Sequence, residues 1–151
     1  MSDLPPTQLI TTGVRQLLID HLGGTSPHVY DTVVPVDAQF PYWVVYQIPG
    51  GEGYGPPLTD PDADTQIVVQ VDSVAGRRDQ AQLNRDRAAN VMLSRRGGAL
   101  QYDMGAIAGW AFCGRMRNDV PGGVEVEGAP PNAVFTASDR YTIAVTPTAS
   151  S

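Results

Sequence analysis

The segment PYWVVYQI, residues 41–48, does most to limit what this chain can fold into. It is aromatic and β-branched almost throughout, and such side chains suit the pleated surface of a sheet better than a helix. A lone strand is not stable in water, so partners must exist. Another strand is expected over TQIVVQVDSV, residues 65–74. There Ile67, Val69 and Val71 alternate with Gln66, Val68, Gln70 and Asp72, as in a strand with one buried face. Further strands are expected over residues 28–36, carrying Val29, Tyr30, Val33 and Val34, and over residues 109–118 and 133–147.

Two helices interrupt this β pattern. Over residues 7–22, Ile10, Val14, Leu17, Leu18 and His21 fall at helical spacing and form one stripe. Gly23 and Gly24 end that helix, and Pro27 prevents its resumption. A second helix is expected over residues 76–95, with Ala81, Ala88, Val91 and Met92 facing inward, ending at Gly97 and Gly98. Residues 99–108 read as irregular or a short strand. The order α-β-β-β-α-β-β predicts an α+β fold, a mainly antiparallel sheet with two helices packed on one face. A small open barrel is the alternative.

The 151 residues suit one domain over 1–151. Gly and Pro supply 29 of them, which predicts many turns and disfavours a helical bundle. They concentrate between the second and third strands. The loop over residues 49–64 is longer than the two to five residues that usually join strands, and a loop of that length is often functional. Its few apolar side chains, chiefly Tyr54 and Leu58, are expected to anchor a partner. The tail over residues 147–151 is expected to fray.

Ten basic residues, all Arg, face sixteen acidic ones, for a net charge of −6. That acidity opposes a protein gripping nucleic acid over its surface, which needs clustered positive charge. The charge is also segregated. Residues 77–96 hold six Arg against two Asp, so this stretch is +4 and the remainder −10. Opposite fields within one subunit favour contact between copies, and Arg77, Arg78, Arg85 and Arg87 become candidate interface residues. The start MSDLPPTQLI lacks a basic region and a long apolar run, so neither a signal peptide nor a membrane helix is expected.

Chemistry is sparse. His21 and His28 are seven residues apart across a Gly-Gly break, which is not metal-ligand spacing. Cys113 is the only cysteine and sits in a β run, where such a residue is usually inert packing. Asp60, Asp62 and Asp64 suggest a calcium loop, but its sixth and twelfth positions are Thr65 and Val71 where Gly and Glu are needed. Gly51, Gly53 and Gly55 follow a strand but precede prolines and acids, not a helix, so a dinucleotide loop fails. No Gly-x-Ser-x-Gly elbow is present. The expectation is no enzyme, no cofactor and no metal.

Residues 43–74, and the PY before them, are followed by RRDQAQLNRDRAANVML. This block, about residues 27–96, resembles the tail terminator proteins of long-tailed phages, especially those of actinobacterial hosts. The shared features are a P-Y-x-V-V-Y strand, a Gly-rich loop ending in Pro-Leu, an acidic turn, and a strand ending in Gln-Val-x-Ser-Val before an Arg-bearing helix. The resemblance implies a structural homohexamer in the virion, at the head-proximal end of the tail, made in the host cytoplasm. Its ring would cap the tail tube protein, stop polymerisation and receive the head-connector (stopper) protein. Double-stranded DNA would pass through unread, with no membrane involved. A head–tail connector or other neck protein is the nearest alternative; a small ligand-binding or enzymatic domain is a more distant one.

Overall fold

In the computed structural model, residues 7–22, 28–48, 53–54, 65–104, 107, 109–118 and 123–148 are described. The first helix, α1, spans Thr7–His21. Ile10, Val14, Leu17 and Leu18 of its stripe are buried, whereas His21 at its end is exposed and stacks on Tyr102 at 4.0 Å. Strand β1 follows, Val29–Asp31. It is shorter than the expected 28–36. At Thr32 the backbone turns left-handed, with φ of 64°, and the Val33 amide bonds back to the Asp31 carbonyl. That turn leaves the extended conformation, so the strand stops there even though a β-branched residue resists a positive φ. Val33 and Val36, read as strand, lie in the exposed connection.

Strand β2 is Tyr42–Gln47, β3 is Gly53–Tyr54 and β4 is Thr65–Ala75. Helix α2 runs Arg78–Leu93. The next elements are β5, Arg95–Arg96, and β6, Ala99–Leu100, which form a separate two-stranded hairpin. Gly97 and Gly98 therefore turn this hairpin rather than end the helix. Both have positive φ, 64° and 86°, as a tight two-residue hairpin turn requires. Strands β7, Trp110–Arg117, β8, Glu125–Glu127, and β9, Val134–Pro147, complete the chain. Pro147, expected to begin a frayed tail, is still paired, opposite Trp110.

The main sheet runs β1-β2-β4-β9-β7, with β3 added to β4 and β8 to β9. Only β1 and β2 are parallel; every other pair is antiparallel. The long β4–β9 ladder forms the spine, from Thr65 opposite Val145 to Ala75 opposite Phe135. Ile67, Val69 and Val71 share one face with Trp43, Val45, Tyr141, Ile143 and Val145, and that face packs against both helices in one core. Ala81, Ala88, Val91 and Met92 of α2 are all buried as the sequence predicts. The protein is thus an α+β fold with both helices on one side of the sheet.

Candidate functional site

Arginine side chains close both helices. The last carbonyls of a helix lack internal partners and carry partial negative charge, so a cation there is favourable. Arg87 of α2 donates through Nη2 to the Leu22 carbonyl beyond α1, at 2.6 Å, and lies 5.9 Å over the Trp43 ring. Arg115 of β7 is buried and donates through Nε to the Met92 carbonyl at 3.0 Å and through Nη2 to the Tyr102 carbonyl at 2.5 Å. Burial pulls the Arg115 pKa down, and Asp103 opposes that shift.

The other candidate arginines are placed differently. Arg77 and Asp79 form an exposed pair at 2.7 Å, and such surface pairs contribute little. Arg78 is exposed, whereas Arg85 is half-buried and engaged. The +4 segment is therefore only partly a free surface: Arg87 serves the chain's own packing. Of the loop over residues 49–64, Gly53 and Tyr54 are paired by their backbones with Gln66 and Thr65. Leu58, and Asp60, Asp62 and Asp64, lie outside the described residues.

The sheet face turned away from the helices carries a polar network. Asp72 accepts from Tyr46 Oη at 2.9 Å, Gln70 Nε2 at 2.8 Å and Ser138 Oγ at 2.6 Å. Gln70 Oε1 in turn accepts from Arg140 Nε at 3.0 Å. Burial, and then the Asp72 carboxylate, pushes the Tyr46 hydroxyl up to about 12. Gln70 and Asp72 are legible in the sequence as the outward positions of an alternating strand. Ser138 and Arg140 are not, because only the β4–β9 register sets them opposite Asp72 and Gln70. With three donors on its carboxylate, Asp72 is held as a structural acceptor.

Beside this network an aromatic row runs along the β1–β2 edge. His28 stacks on Tyr30, Tyr30 meets Tyr42 edge-on, and Phe40 stacks on Tyr42, with centroids 6.4, 5.7 and 5.7 Å apart. His21 and His28 thus both make ring contacts, and no group of three metal-ligating side chains occurs among the described residues. On the helix side, buried Asp139 accepts from Arg117 Nη2 at 2.9 Å and from Tyr141 Oη at 3.1 Å. Burial raises the Tyr141 pKa, helped by Asp139. The Cys113 backbone lies where the β7–β9 register shifts, between Phe112 and Gly114; its side chain is outside the described residues. Among the described residues no helix is long and apolar enough to cross a membrane.

Compared with known proteins, the chain matches no family model and no curated protein.

Proposed function

We propose that the protein is a structural tail terminator of a long-tailed phage. In this reading it forms a hexameric ring that caps the tail tube, stops its growth and presents the surface on which the head connector docks. The observation that carries the proposal is the one-sided cover of the sheet. Both helices lie on one face; the other carries the hydrogen-bonded network around Asp72, whose carboxylate is satisfied by three donors, beside Val44, Val68 and Val74 and the exposed Glu125 of β8. Such a face suits contact or passage rather than chemistry. Its two charged groups in the network, Asp72 and Arg140, balance each other, so a phosphate backbone would find little to hold it.

The proposal includes the loop over residues 49–64 as the docking element, with Tyr54 and Leu58 as its anchors. The test is electron microscopy of tail tubes assembled with and without the purified protein. Rings on one end of tubes of uniform length are expected. The double substitution Tyr54→Ala with Leu58→Ala should leave a folded subunit that no longer caps tubes or accepts heads. Tubes that grow without limit in the presence of the native protein refute the proposal, and a ring found only on the head portal favours the neck protein instead.

A further inference from the structure

We infer that neighbouring copies join by seating the segment 33–40 of one subunit in a groove beside β7 of the next. The inference rests on the ring reading above and names the contact that would build the ring. Val33 is 74% exposed, Val36 fully so and Phe40 46%. Three large apolar side chains in eight residues are unusual on a surface, where single exposed ones are the norm. The segment is also held in place. The left-handed turn at Thr32 launches it, half-buried Val34 anchors it, and Phe40 rests on the Tyr42 ring. A knob fixed before contact loses less freedom on binding.

The groove lies between the β5–β6 hairpin and the start of β7. It has a volume of about 610 Å³ and is lined by Leu100, Met104, Trp110 and Phe112, with Arg95 and Asp103 among its polar residues. That volume is in the range of ligand-binding clefts, about 300–1,000 Å³. Arg96, next to Arg95 on the hairpin, is exposed and has no ion-pair partner among the described residues. On the knob, Asp37 is exposed between Val36 and Phe40 and likewise unpaired among the described residues. An apolar knob beside an acid is thus matched by a groove with one apolar wall, Leu100, Met104, Trp110 and Phe112, and the basic Arg95 and Arg115 in its lining.

A subunit cannot make this contact with itself. β1 and β7 are the two edges of the main sheet, separated by four strand spacings or roughly 19 Å. The contact is therefore head-to-tail, and head-to-tail contacts close into rings when the rotation permits. It leaves the polar sheet face and the loop over residues 49–64 available for other partners.

The experiment is sedimentation velocity of the full chain at low salt, alone and with tail tubes, for wild type and five variants. Val36→Asp and Leu100→Asp should each abolish rings. Mixed together they should stop at dimers, because each variant keeps one intact half of the contact. Asp37→Arg and Arg96→Asp should each weaken assembly by about fivefold, and the double variant should restore it. A wild-type ring that Val36→Asp leaves intact, or a double variant no better than its parents, overturns this contact while the ring reading stands. A wild-type chain that stays monomeric both alone and on tubes overturns the two together.

Discussion

Replacement of Arg115 by Met tests the idea that a buried cation closes α2. The guanidinium makes two charge-assisted bonds, to the Met92 and Tyr102 carbonyls. Each such bond contributes about 1.5–3 kcal/mol, so about 3–6 kcal/mol of favourable interaction is at stake. Part is offset, since burial already disfavours the charged form, and Met would fill much of the aliphatic stem's space. The adjoining groove also gives water a route to the freed carbonyls. The net cost should be about 2–4 kcal/mol. For a chain of this size that lowers Tm by roughly 4–16 °C. Urea unfolding followed by tryptophan fluorescence reads it directly, because Trp43 and Trp110 are both buried. Arg115→Lys should recover only part of the loss, since one ammonium replaces a fork that reaches two carbonyls. If Arg115→Met unfolds within about 0.5 kcal/mol of wild type, the bonds contribute nothing net and the account of α2 closure is wrong.

Three further outcomes are expected. Folding stability should fall between about pH 10 and pH 12: Tyr46 ionises at 10.0 when unfolded but at about 12 when folded, so its stabilising contribution is whole below pH 10 and lost as pH rises through 12. Tyr46→Phe should flatten that part of the urea-midpoint profile, while Tyr141, also raised by burial, keeps a residual slope. Arg87→Ala should cost about 1–2 kcal/mol in urea unfolding of the isolated subunit, through the Leu22 carbonyl it bonds, whereas exposed Arg78→Glu should change stability by less than about 0.5 kcal/mol. Gly13→Ala should raise the urea midpoint by roughly 0.5 kcal/mol, because the helix gain of up to about 1 kcal/mol exceeds the cost of moving the Met104 methyl, 3.0 Å from the new Cβ, toward the groove it lines; a lowered midpoint would show that Met104 cannot yield.

Much of the architecture was written in local pattern. The stripe Ile10–Val14–Leu17–Leu18 and the alternation Ile67–Val69–Val71 each follow the period of one element, and period is a property of neighbouring residues. The inward set Ala81, Ala88, Val91 and Met92 was legible for the same reason. Where backbone conformation overrode composition, the pattern misled. Thr32 ended β1 early although Val33 and Val34 favour a strand, and Gly97–Gly98 turned a hairpin although paired glycines also end helices.

Composition and local period define an acidic, lysine-free α+β chain with two helices, a sheet and segregated charge. Which of those charges remain available depends on packing. Arg87 and Arg77 read alike in sequence, yet one braces α1 against Trp43 and the other sits in solvent with Asp79. The Asp72 network, and the placing of residues 33–40 and the groove at opposite edges of the sheet, also arise only in the folded chain. The physical reason is range. Periodicity acts over a few residues, whereas Asp72 meets Ser138, 66 residues on, only through a register that the whole β4–β9 ladder sets.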